Sequence, residues 1–108
     1  MSEFTIGQMQ EMQRILQDRY KHKWKKICPE IGQNKLLWMI GEIGEVIDLV
    51  KKNGSEKVCT DETIRCLLIE EMADVLMYYN DVMLCYGITE EELKKSYADK
   101  FEKNMNRW

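Results

Sequence analysis

A single proline, Pro29, and six glycines are the only strong interruptions in 108 residues. A sandwich or barrel of short strands needs turn residues roughly every ten positions, and this chain has too few of them. Its apolar fraction, 44% against 32% charged, is too high for a disordered chain. What remains is an all-α fold. At this length one core is expected, so residues 1–108 read as a single helical domain.

Apolar periodicity divides the chain into four helical segments. Met9, Met12, Ile15, Leu16, Tyr20 and Trp24 trace the first, from Thr5 to Lys26, ending before Pro29 because a residue ahead of proline disfavours helix. The second opens near Gly32 or Asn34 and runs to Lys52. There Lys51 and Lys52 suit a helix C-terminus, and Gly54 suits the left-handed position beyond it. Residues 54–60 read as a polar connection. Thr60 or Asp61 can cap a long third helix that reaches Tyr86 and is stopped by Gly87. Thr89 and Glu92 have capping-box spacing for a fourth helix through Asn106, carrying Leu93, Tyr97, Phe101 and Met105. Four helices with short connections make a four-helix bundle the expected architecture.

The net charge of -3 hides an uneven distribution. Arg14, Arg19, Lys21, Lys23, Lys25 and Lys26 meet a lone Asp18 over residues 14–26, whereas acids dominate residues 42–92. A cationic run on an amphipathic helix is ordinarily a solvated face, so nucleic acid is not an expected partner. Cys28, Cys59, Cys66 and Cys85 form no C-x-x-C pair and His22 is the sole histidine, which leaves a zinc site without ligands at workable spacing. With neither a signal peptide nor an apolar run long enough to span a bilayer, a cytoplasmic location without membrane attachment is expected.

The acids carry the chemistry. On the second helix Leu36, Met39, Ile40, Ile43, Val46, Ile47 and Val50 form one stripe, expected to face the core. Glu42 borders that stripe, and Glu45 lies further round on a flank shared with Lys35 and Trp38. The third helix is apolar nearly all round and is therefore expected to be buried all round, yet Glu70, Glu71, Asp74 and Asp81 gather in one wedge of it. Any two carboxylates about 4 Å apart repel by roughly 4 kcal/mol at an effective dielectric near 20. Several such repulsions rival a small domain's whole stability of about 5–15 kcal/mol. Acids from the two helices therefore either stand apart as solvated surface or converge on cations. Oxygen ligands without histidine or thiolate suit Mg²⁺, with Mn²⁺ as the alternative.

The stretches G-E-I-G-E-V-I-D-L-V-K-K at 41–52 and E-E-M-A-D-V-L-M-Y at 70–78 resemble the MazG family of nucleoside triphosphate pyrophosphohydrolases. The family pattern E-x-x-E followed by E-x-x-D falls on Glu42, Glu45, Glu71 and Asp74. The resemblance implies that these four carboxylates hold the metal and serve catalysis. The activity it implies is conversion of a nucleoside triphosphate to its monophosphate and pyrophosphate, by attack of water on the α-phosphorus. The closing D-K-F-E-K-N-M-N-R-W resembles the family's basic terminal cluster, so Lys100, Lys103, Asn104 and Arg107 are candidate phosphate donors. Lys35 and Trp38, on the flank of the second helix that carries the carboxylates, are further candidate ligand contacts, Trp38 as a base-stacking platform. Relatives assemble as dimers or tetramers, and a homodimer or homotetramer would bury Met77, Leu84 and Cys85 against a partner. The runner-up reading is a non-catalytic helical module that binds nucleotides or proteins. A di-iron carboxylate bundle ranks below both, because its Glu-x-x-His motifs are missing.

Overall fold

A computed structural model of the chain describes residues 3–108. It is all-helical, in the order α1 (Ile6–Arg19), a 3-10 turn (Pro29–Ile31), α2 (Gly32–Asn53), α3 (Ser55–Thr60), α4 (Glu62–Cys85) and α5 (Glu90–Met105). No strand occurs among the described residues. The boundaries follow local chemistry. The Thr5 hydroxyl accepts from Gln8 N at 3.1 Å and Asp61 Oδ1 from Ile64 N at 3.1 Å, each satisfying a free amide of a first turn. Thr89 and Glu92 close a reciprocal capping box at the head of α5. Gly54, at φ 85°, and Gly87, at φ 66°, take the positive-φ conformation that ends α2 and α4.

Two expectations about extent are corrected. The first helix stops at Arg19 instead of reaching Lys26. Continuing it would stack Lys21 on Lys25 and Lys23 on Lys26 at spacings where like charges repel. The chain turns out instead, and Trp24 folds back to stack on Tyr20 with ring centroids 4.7 Å apart. Residues 55–60, expected as a polar connection, form the short helix α3, which buries Val58. Six residues are too few to show periodicity.

α2 and α4 pack along their lengths, with α1 and α3 against α4. The α1 contact is polar. Its buried residues are Gln10 and Gln13, while Met12 and Ile15 of the expected apolar stripe are exposed. The amides earn those positions by hydrogen bonding: Gln10 Nε2 donates to Ile88 O at 3.2 Å and Gln13 Nε2 to Asp81 Oδ1 at 2.8 Å. Where α4 ends, the Tyr86 ring lies against Gly32, leaving no room for a Cβ there.

The apolar stripe of α2 faces the core only in part. Met39, Val46 and Val50 are half-buried, whereas Leu36, Ile40, Ile43 and Ile47 lie exposed, Ile40 at 61%, and their spacing puts them in one row. On α4, Leu67, Ile69, Met72 and Met77 are exposed as well, against the expectation of burial all round, and α5 leaves Tyr97, Phe101 and Met105 bare. Cys85, assigned to a subunit contact, is instead buried by its own chain. The accessible surface is 8534 Å², against roughly 6,300 Å² for a compact monomer of this mass. The radius of gyration is 16.3 Å, against about 13 Å for a compact chain of this length.

Candidate metal centre and adjoining cavity

Glu42 and Glu45 lie one turn apart on α2, and Glu71 sits opposite them on α4, because the long antiparallel contact of these helices brings the middle of one beside the first half of the other. One carboxylate oxygen from each of the three lies within 4.8 Å of the others. Glu42 and Glu71 are half-buried and Glu45 is exposed. Glu42 Oε2 and Glu71 Oε2 are shielded from solvent and have no hydrogen-bond partner. Asp74, one turn beyond Glu71, stands beside the trio and adds its charge to it.

The electrostatics are those of an uncompensated anion cluster. Partial burial pushes the Glu42 carboxyl up to about 7, helped by the closeness of the Glu45 carboxyl and by the charges of Glu45, Asp74 and Glu71. The closeness of the Glu45 carboxyl raises Glu71 too, with burial and the Glu45 and Asp74 charges acting in the same direction. Three hard oxygen donors, two of them orphaned and away from water, fit a hard divalent cation, which would supply the missing countercharge.

Asp74 also belongs to the wall of a cavity of about 500 Å³, within the usual size of small-molecule sites. Trp38 and Tyr78 line it and meet edge to face at 6.2 Å. Lys35, expected as a ligand contact, is buried at the cavity's side. Its Nζ lies 3.1 Å from Asp81 Oδ2 and within 5.4 Å and 5.7 Å of the Trp38 and Tyr78 ring centroids. Gln13 holds the other Asp81 oxygen. The opposite wall comes from α1 and the turn after it, including Lys23, Trp24 and Lys25.

The terminal cluster is placed differently. Lys100, Lys103 and Asn104 lie on α5 and Arg107 just beyond it, and α5 makes no extended packing with the other helices. None of the four lines the cavity, and the Arg107 guanidinium lies over Trp108 at 5.1 Å. Within one chain the carboxylates, Lys35 and Trp38 come together, and the α5 residues do not join them.

Sequence reasoning passed over Gln13, Trp24 and Asp81 as site residues. Asp81 offered a signal, since it shares the α4 wedge with Asp74 and had no charged neighbour on its own helix to account for it. Gln13 offered none, because a glutamine one turn from polar neighbours looks like surface.

No curated protein and no solved structure shows significant similarity to the chain. The family model of the MazG nucleotide pyrophosphohydrolase domain matches residues 30–107, which includes both acidic motifs and leaves out the α1 wall of the cavity. With that match covering most of its length, the chain belongs to the MazG nucleotide pyrophosphohydrolase domain family.

Proposed function

We propose that this protein hydrolyses a nucleoside triphosphate to the monophosphate and pyrophosphate with a divalent cation, Mg²⁺ or Mn²⁺, held by Glu42, Glu45, Glu71 and Asp74. The observation that carries this reading is the orphaned pair Glu42 Oε2 and Glu71 Oε2, in a cluster whose further member Asp74 lies in the wall of a cavity with aromatic sides. When bound, the cation neutralises triphosphate charge and acidifies water at the α-phosphorus. Glu45, the exposed member of the trio, is the carboxylate that solvent reaches. It orients the attacking water and accepts its proton as the new oxygen–phosphorus bond forms and the bond to pyrophosphate breaks. Trp38 presents its free face to the base, with Lys35 beneath the ring pair. Lys23 and Lys25 draw the anionic substrate toward the cavity. A screen of the common nucleoside triphosphates for pyrophosphate release, with Mg²⁺ and with a chelator, tests this directly. A chelator-insensitive reaction, or inorganic phosphate in place of pyrophosphate, would overturn it.

The working unit in this reading is a homo-oligomer, a dimer or tetramer. The exposed row Leu36, Ile40, Ile43 and Ile47 and a surface excess of roughly 2,200 Å² over a compact monomer match the area that an obligate interface buries. Lys100, Lys103, Asn104 and Arg107, which stand apart from the carboxylates of their own chain, would in this reading serve the phosphates at a partner's site. Sedimentation is expected to give a dimer or larger at micromolar concentration, and Ile40→Asp with Ile47→Asp to give monomer. A wild-type monomer would sink the shared site. No helix among the described residues is long and apolar enough to cross a membrane.

Metal and pH are linked through Glu42. Its carboxyl sits at about 7 in the fold against an ordinary 4.5, so the folded protein holds this proton more tightly than the unfolded chain. The contribution to stability is complete below about pH 4.5 and is lost as pH rises through about 7. The metal-free melting temperature should fall between pH 5 and pH 8. Mg²⁺ should restore it more at pH 8 than at pH 5, because protons compete for the same oxygens. A metal-induced shift that is larger at pH 5 would contradict the assignment of Glu42 as a ligand.

A further inference from the structure

Lys35 and Asp81 are the two members of an ion pair whose side chains are only 9% and 5% exposed, and both line the cavity. Neither belongs to the acidic motif. Burying such a pair is seldom favourable for stability alone, so its place in a cavity wall calls for a use. Its hydrogen-bond valences indicate one. Asp81 Oδ1 accepts from Gln13 at 2.8 Å and Oδ2 from Lys35 at 3.1 Å, so each carboxylate oxygen is engaged. The Lys35 ammonium has three donors and gives one to Asp81. The other two have no hydrogen-bond partner among the described residues, and the Nζ that carries them lies beside the Trp38 and Tyr78 rings in the cavity wall.

Beside the Trp38 and Tyr78 rings the cavity therefore offers a charged donor whose own carboxylate partner is already engaged, while the other lining carboxylate, Asp74, stands two helical turns away along α4, on the side of the acidic cluster. From this we infer that Lys35, held in position by Asp81 and Gln13, selects nucleotides whose base carries a ring carbonyl oxygen over those whose base carries only an amino group at that edge. A carbonyl accepts from the ammonium, whereas an exocyclic amine would direct its own N–H toward it. The selection rests on the nucleotide-site reading above. It also draws on α1, which lies outside the segment matched by the family model, so discrimination of the base is a property of this chain's own wall. Gln13 and Asp81 act through Lys35 and are positioning residues.

Inosine and adenosine monophosphate separate the two cases, since they differ only at the purine 6-position and its neighbouring ring nitrogen. Affinities are read from tryptophan fluorescence, with Mg²⁺ present and no turnover required. Inosine monophosphate is expected to bind about tenfold tighter, the worth of one hydrogen bond to a charged donor. In Lys35→Met/Asp81→Asn, which removes both charges at nearly constant volume, that ratio should fall to about one while the circular dichroism spectrum is kept. Equal affinities in the wild type, a ratio unchanged in the double variant, or no saturable binding of either nucleotide would overturn the inference. A retained preference without any pyrophosphate release would instead refute the hydrolase reading and leave this selection standing. If the double variant does not fold, the wild-type ratio decides.

Discussion

Glu45→Gln should lower the rate of pyrophosphate release by about a hundredfold or more with little change in the melting temperature of the metal-free protein. The magnitude is that of losing a positioned base or a metal ligand. The fold should persist because Glu45 is the exposed member of its cluster and takes part in no ion pair among the described residues. Asp74→Asn should act in the same direction, since its charge adds to the cluster that a cation would neutralise. In ¹⁸O-labelled water the label should enter the monophosphate, reporting attack at the α-phosphorus. Label in pyrophosphate, or undiminished turnover by Glu45→Gln and Asp74→Asn, would refute the mechanism.

Asp81→Ala should be the most destabilising single change, by about 3–5 kcal/mol, because it leaves the Lys35 ammonium buried without its partner. It also frees the Gln13 amide, which joins α1 to α4 through that carboxylate. The fall in the urea midpoint measures the loss. Replacing both members, as Lys35→Met with Asp81→Leu, should recover most of it, since the penalty lies in the unpaired charge and not in the missing bond. A fall below about 1 kcal/mol for Asp81→Ala would mean that water reaches Lys35, and the ammonium would then not be the desolvated donor described above.

The helical plan was legible because it depends on near neighbours. Thr5, Asp61 and the Thr89–Glu92 box cap their helices through bonds spanning three residues, and Gly54 and Gly87 end helices through their own backbone freedom. Glu42 with Glu45 and Glu71 with Asp74 were legible for the same reason, each pair being one turn apart on its helix. The length of the first helix was misread because the apolar positions up to Trp24 kept time while the lysines between them, three and four apart, would repel one another in a helix. α1 also packs through Gln10 and Gln13 and not through Met12 and Ile15, which no apolar period can announce.

Spacing along the chain left open which side of each helix meets another. The α2 stripe obeys helical periodicity and yet leaves Leu36, Ile40, Ile43 and Ile47 exposed, because periodicity reports that a face is apolar and says nothing about what covers it. The convergence of Glu42, Glu45 and Glu71 needed the antiparallel register of α2 and α4. The Gln13–Asp81–Lys35 cluster needed three helices at once, with partners 46 and 68 residues apart in sequence. A residue's own type and its neighbours set its local conformation. Burial, pairing and the shift of a carboxyl to about 7 depend on distant segments meeting, and that meeting was decided by packing.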